Sequence, residues 1–288
     1  MESSLLLKKR AQFTVGQNFQ RDWYDLNDKK FVKTKLGKLS ECSIGAKDKL
    51  LVRSLWFDRI STYQVDSYIE TLTRMKLYKL HSHIVFPEAL FISDKLEISV
   101  IVPQYQTLYE LIQRQEKRLT QLEKLDILLQ LAKLMNTFHN LAEPLSHGNL
   151  NSLNVFVEHQ EQQDGSRTPR VLIGEIEMND FKRYANMFYS YKSVSISSAP
   201  ECLRNPKKRA DPTPAMDSYS FAMIMWELLH DQQPFDGSLE AATQFVIEQD
   251  ARPAIHTSHQ SAQLIGSADI SEMHEEVPEG QENKQVLT

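Results

Sequence analysis

Apolar residues alternate with polar ones early in this chain and later take up helical spacing. Phe31-Val-Lys-Thr-Lys-Leu36 and Lys49-Leu-Leu-Val-Arg-Ser-Leu-Trp56 read as strands. Val65, Tyr68, Ile69, Leu72, Met75 and Leu80 recur at helical intervals, which predicts a helix over 62–80 with one buried face. Further strands are expected around Ala89–Ile92 and Glu97–Val102. The strongest helical stretch is Leu119–Asn140. Leu122, Leu125, Leu128, Leu129, Ala132, Met135 and Phe138 line one face of it, and Leu131 and Leu134 widen that face, so the helix is expected to be mostly buried. Val155–Val157 and Val171–Ile173 form a short strand pair across a polar loop. An apolar helix over Ser218–Leu229 and a shorter amphipathic one over Leu239–Glu248 follow.

Strands first and helices later, with one helix inserted among the early strands, predict an α+β fold of two lobes. The small β-rich lobe is expected over 31–102 and the larger helical lobe over 107–253, preceded by an N-terminal extension over 1–30. Residues 254–288 hold no aromatic residue and are rich in Ser, Gln, Glu and His, the composition of a disordered tail.

Composition narrows the functional classes. A chain of 288 residues can bury one large core or two lobes. Its net charge of −5 argues against a nucleic-acid partner, which calls for a concentrated basic face. Cys42 and Cys202 are too few for a disulfide framework and lack zinc spacing, so a reducing compartment is expected. No apolar run approaches the roughly 20 residues of a membrane span. Leu5 to Leu7 lie before Lys8, Lys9 and Arg10, too short for a signal core and with the charge on the wrong side. A cytoplasmic protein is the expectation.

The chemistry centres on His147-Gly-Asn-Leu-Asn-Ser-Leu-Asn154. The spacing is that of the kinase catalytic loop H-R-D-L-x-x-x-N, in which the Asp accepts the substrate proton and the last Asn holds magnesium. Asn149 occupies the Asp position. A carboxamide does not titrate near neutral pH and cannot act as a general base.

Other segments fall in the same order. Ala199-Pro-Glu201 matches the APE motif, and Asp217-Ser-Tyr-Ser-Phe-Ala222, Trp226-Glu-Leu-Leu229 and Pro234-Phe235 match the DxWSFG, WEL and PF run. Phe138-His139 ends the long helix before the loop, and Leu51-Val-Arg-Ser-Leu55 looks like the strand that carries an ATP-anchoring lysine. Over 31–253 the chain resembles the protein kinases, in particular the tyrosine-kinase-like group. Phe31–Leu36, Thr107-Leu-Tyr-Glu-Leu111 and Leu150-Asn-Ser152 echo the integrin-linked kinases, a pseudokinase family whose ankyrin repeats have no counterpart here.

The resemblance assigns a role to each departure. The phosphate-binding lysine becomes Arg53, whose fork is bulkier and differently aimed. Its glutamate partner, counted back from His81-Ser-His-Ile-Val85, falls on Leu72; Glu70 lies about 200° away around the helix and reads as solvent-facing. The DFG motif becomes Glu175-Ile-Glu177, which removes the glycine and adds a second carboxylate. Gly37 and Gly45 cannot build a tight glycine cradle. Val102 takes the gatekeeper position, and Pro103 begins the hinge without an N–H to offer. Arg53, Val102, Asn154 and Glu175 remain as possible nucleotide contacts. Asn154 and Glu175 could hold a magnesium ion, with ATP as a structural ligand rather than a required cofactor.

Three readings follow. The first is an inactive kinase-like domain that binds other proteins, through the helix at 239–248 or through apolar surface on the larger lobe, which lacks the family's last two helices after Pro253. Lys207–Arg209 reads as a solvated basic loop. Tyr184, Tyr189, Tyr191, Ser193 and Ser195 read as ordinary loop residues. The second reading is a weak kinase using Arg53, Asn154 and Glu175 with substrate-assisted proton transfer. The third is a truncated product without a function of its own.

Overall fold

The computed structural model describes residues 25–33, 37–44, 47–55, 62–92, 98–113, 118–161, 167–179, 181–182, 194–206 and 211–255. All but the last two belong to a compact unit spanning Met1–Pro253; a second unit spans Ala254–Thr288. Most of the expected tail therefore lies outside the described residues, as do Lys207–Arg209, Tyr184, Tyr189, Tyr191, Ser193 and Gly45.

The small lobe is a five-stranded antiparallel sheet of β1 (Asp25–Lys33), β2 (Gly37–Ile44), β3 (Lys47–Leu55), β4 (Ala89–Ile92) and β5 (Ile98–Pro103), in the order β1-β2-β3-β5-β4. The first strand starts at Asp25, six residues before the expected domain boundary at 31. Strand β2 escaped the reading of the sequence. Its buried side chains include Ser40 and Cys42, small residues that leave no apolar alternation to see. Gly37 opens β2 opposite Leu55, and a Cβ there would stand 1.9 Å from the Ser54 carbonyl oxygen. This glycine permits close strand pairing.

Helix α1 (Thr62–Leu77) buries Val65, Tyr68, Ile69, Leu72 and Met75 in the hydrophobic core, as the spacing predicts. The chain then pairs with the large lobe at a point that sets the site. Ile84 bridges Ile173 in parallel; Val85 N–H donates to Ile173 O at 2.8 Å and Ile173 N–H to His83 O at 3.0 Å.

The large lobe holds a second sheet of β6 (Gln106–Thr107), β7 (Val155–Glu161) and β8 (Arg167–Ile173), with helices α2 (Leu108–Gln113), α3 (Gln121–His139), α4 (Pro200–Arg204), α5 (Pro214–His230) and α6 (Leu239–Thr243). Helix α3 starts at a capping box between Thr120 and Glu123. Its buried face differs from the expected one. Lys124, Ile127, Leu128, Leu131, Leu134, Met135 and Phe138 face inward, whereas Leu122, Leu125 and Leu129 are exposed. Leucines on both sides leave periodicity unable to choose, and Lys124 disguised the inner face. Its ammonium is neutralised by Asp231 at 2.8 Å, just past the end of α5. The expected helix over 239–248 splits into α6 and a π-helical turn, Gln244–Glu248, which buries Val246 and exposes Phe245.

Candidate functional site

The His147–Asn154 loop is held from below by one carboxylate. Asp217 is buried in the first turn of α5, and its Oδ2 accepts from His147 N–H at 2.7 Å and from His139 Nε2–H at 2.9 Å. Its Oδ1 accepts from Gly148 N–H at 2.8 Å. Gly148 has φ +67°, a conformation that glycine adopts without a Cβ penalty. The His147 ring donates from Nε2 to Gly174 O at 2.9 Å and accepts Asn149 N–H at Nδ1. Burial, followed by the Lys182 charge, lowers its pKa to about 4 despite Asp217, so the ring is a neutral structural link at neutral pH. Asn149 O accepts two side-chain amides, Asn151 Nδ2 at 2.9 Å and Asn154 Nδ2 at 2.8 Å. Asn154 is thus turned into the loop, with only its Oδ1 left to offer. Sequence reasoning quoted Asp217 as part of a motif and missed its work; an acid in the first turn of a largely apolar helix was the available signal.

Above this loop three charged groups meet. Arg53 Nη2 lies 2.8 Å from Glu175 Oε1, and Lys182 Nζ lies 2.8 Å from Glu175 Oε2. Each carboxylate oxygen therefore carries its own cation. Burial alone would raise the Glu175 pKa, but Lys182 and then Arg53 hold it well below the usual carboxylate range. Glu175 sits at φ +69°, a left-handed conformation that costs a non-glycine residue on the order of 1 kcal/mol. The two ion pairs hold it there. Glu177 is buried nearby, and burial raises its pKa despite Arg53. From α1, Tyr68 completes the cluster. Its ring packs on Phe181 with centroids 5.5 Å apart, and its hydroxyl has no hydrogen-bond partner among the described residues. Lys182 could not have been picked from the sequence, because nothing local marks it.

This architecture of loop, strand and anchoring helix has known relatives. The protein tyrosine and serine/threonine kinase family pattern matches residues 25–267. The chain belongs to the protein kinase family. It is 26% identical over 236 residues to the serine/threonine-protein kinase CTR1 of Arabidopsis thaliana, covering 79% of this chain and 26% of that one. It is 30% identical over 141 residues to the serine/threonine-protein kinase TNNI3K of Homo sapiens, covering 47% of this chain and 15% of that one. The chain thus spans about a quarter or less of the length of these relatives. The match also runs past the expected domain limits at 31 and 253.

Arg53, on β3 where the lysine was expected, pairs with Glu175, where the DFG acid was expected. Leu72 lies in the core, Glu70 is exposed, and Tyr68 is the α1 side chain that couples to Arg53 and Glu177. Val102 pairs with Leu51, and Val100 with Arg53, so the gatekeeper position and Arg53 share one sheet face. Asn154 O accepts Gly174 N–H at 2.9 Å, placing Asn154 next to Glu175. Arg53 and Val102 thus share one sheet face, and Arg53 and Asn154 each adjoin Glu175.

The same donor set does not fit a kinase's divalent ion. Glu175 has no oxygen outside an ion pair, and a metal would have to displace a fully buried ammonium. Among the described residues no group of three His, Cys, Asp or Glu side chains could hold one.

A further acid ties the kinase's segments together. Glu227, buried in α5, accepts from Ser197 Oγ at 3.4 Å and from Ser152 of the loop. Burial pushes its pKa up to about 7, against the opposing pull of those two hydroxyls. Because the folded value exceeds the ordinary 4.5, the associated stability is complete below pH 4.5 and is lost as pH rises toward 7. His147 runs the other way. Its value of about 4 against an ordinary 6.5 contributes stability above pH 6.5 that is lost as pH falls toward 4. Each is worth up to about 3 kcal/mol, and the two oppose one another between pH 4.5 and 6.5. Glu227→Gln is expected to unmask the His147 slope: stability from urea titrations should fall on acidification through that window more steeply than in the wild type. An unchanged profile counts against the assignment.

Proposed function

We propose that this chain is a catalytically inactive member of the kinase family, a tyrosine-kinase-like pseudokinase that acts as a protein-binding scaffold or allosteric partner. The observation that carries the reading is the Arg53–Glu175–Lys182 cluster, in which the carboxylate a kinase uses for metal is neutralised by two of the protein's own cations. Asn149 adds to it, since the position of the base holds a group that does not titrate. The frame around these residues remains that of a kinase, through Asp217, His147 and the Ile84–Ile173 bridge. A kept frame with altered chemistry suits a domain whose output is shape and contact rather than turnover. The motif echoes of the integrin-linked kinases point the same way.

The partner class we infer is protein. The turn after α6 exposes Phe245, whose ring lies 6.0 Å from that of Phe235, an aromatic pair of the kind enriched in protein interfaces. Among the described residues no helix is long and apolar enough to cross a membrane, and Cys42 and Cys202 are both free. A cytoplasmic setting is proposed on the latter.

Phosphate transfer from radiolabelled ATP to a general protein substrate, with magnesium or manganese, tests the reading. Wild type, Glu175→Gln and Asn149→Asp are all expected to match the no-enzyme blank. Transfer by the wild type that is lost in Glu175→Gln would establish instead a weak kinase built on Arg53, Asn154 and Glu175.

A further inference from the structure

We propose that Glu227 is a pH-dependent clasp: protonated, it holds the Ser195–Ala199 segment against the loop and α5, and its ionisation loosens that segment. The geometry is that of a carboxyl placed for its neutral form. Glu227 lies in the last turn of α5 and is 1% exposed. Its Oε1 accepts from Ser197 Oγ over a long 3.4 Å, and its Oε2 has no hydrogen-bond partner among the described residues. Ser152 and Ser197, the hydroxyls beside it, are buried as well. A carboxylate held without water or a cation is costly, and one proton removes that cost.

The ionisable groups on the surrounding elements are engaged elsewhere. The loop's His147 is turned to Gly174 O and Asn149 N–H. From α3, which packs on α5, Lys124 pairs with Asp231 and His139 with Asp217. On α5 itself, Asp217 serves the loop amides and His230 Nδ1–H donates to Trp226 O. Glu201 and Arg204 of α4 and Asp236 beyond α5 are exposed. Among the described residues, burial and then the Ser152 and Ser197 hydroxyls set the ionisation of Glu227, and no charged side chain acts on it. The folded value of about 7 exceeds the ordinary 4.5. The hold is therefore complete below pH 4.5, weakens by up to about tenfold per pH unit as pH rises to 7, and stays at its weakest above.

The segment is placed to pass the change on. Ser197 is tied to α5 twice, by its hydroxyl to Glu227 and by its carbonyl, which accepts from Ser220 Oγ at 2.8 Å. Ser198 N–H closes a turn onto Ser195 O at 3.1 Å, and α4 begins immediately after Ala199. Helix α4 packs against the turn Gln244–Glu248, which exposes Phe245. Acid thus steadies the surface assigned above to protein partners, and this last link alone rests on the protein-binding reading.

Hydrogen–deuterium exchange of the full chain, from about pH 5 to about pH 8 and corrected for intrinsic amide exchange, tests the clasp. The amides of Ser197, Ser198, Cys202 and Leu203 are expected to exchange faster than those of Val65–Met75 in α1, through a local opening. Their protection in the wild type is expected to fall by up to about tenfold per pH unit on the way to pH 7 and then to level off. Glu227→Gln, which does not titrate, is expected to abolish that slope in the segment. A slope that survives in Glu227→Gln overturns the proposal. So does protection of the segment equal to that of α1 at every pH, because Glu227 would then act only through global unfolding. Should Glu227→Gln not fold, the wild type still decides: a flat profile in the segment, or one shared in full with α1, overturns the clasp. Failure here is distinct from failure of the inactive-kinase reading, since a chain with a flat profile that transfers no phosphate loses only the present inference.

Discussion

Asp217→Ala is expected to cost about 3–5 kcal/mol of folding stability, the largest loss from a single side chain in the site. The substitution removes a buried acceptor that serves His147 N–H, Gly148 N–H and His139 Nε2–H at 2.7, 2.8 and 2.9 Å. Two of those donors are backbone amides in the mouth of the loop, and a buried amide left without an acceptor loses its bond and is not resolvated. At roughly 2–4 °C per kcal/mol for a domain of this size, the melting temperature should fall by about 10 °C. Asp217→Asn keeps one side-chain oxygen and is expected to lose roughly half as much. Calorimetry or denaturant titration checks both. A loss under about 1 kcal/mol for the alanine variant would show that the loop is held by other contacts.

Glu175→Gln carries the second large effect. The amide preserves shape but removes the charge between Arg53 Nη2 and Lys182 Nζ, each 2.8 Å from the carboxylate. Lys182 is 0% exposed, so its ammonium loses this carboxylate where water is excluded; such losses run to about 3–5 kcal/mol. The left-handed backbone at Glu175 would also lose its clamps. Adding Lys182→Met removes the buried charge together with this partner, so the double variant is expected to be more stable than Glu175→Gln alone, with an interaction energy of about 1–3 kcal/mol. The sign with pH is distinctive. The Glu175 pKa is depressed in the folded chain, so its contribution is present above the ordinary 4.5 and lost as pH falls. The Glu175→Gln penalty should therefore shrink in acid. A penalty that does not depend on pH would mean that the carboxylate acts through packing rather than charge.

These two carboxylates show which parts of the site were legible. His147, Asn149, Asn154 and Glu175 were singled out by their resemblance to kinase motifs. What each group touches could not be read that way. Lys182 reaches Glu175 through a segment with no recognisable pattern, and Asp217 acts across a sequence separation of seventy residues from His147. Tyr68 illustrates the same limit from within one helix. Its burial followed from periodicity, whereas its coupling to Arg53 and Glu177 depends on how α1 meets the sheet.

The fold divides in a similar way. The α+β order of strands and helices, the buried stripe of α1 and the β7–β8 pair were determined by the sequence pattern, because burial of one face imposes period on the residues that make it. Strand β2 was not, since small Ser40 and Cys42 fill its buried positions, and the inner face of α3 was not, since leucines line both sides and the buried charge of Lys124 needs Asp231 before it can be placed. That Arg53, Asn149 and Glu175 stand at their positions was likewise written in the chain. That Glu175 has each of its oxygens bound by a cation was decided only by tertiary structure, because ion pairs join side chains by distance in space and leave no period along the sequence.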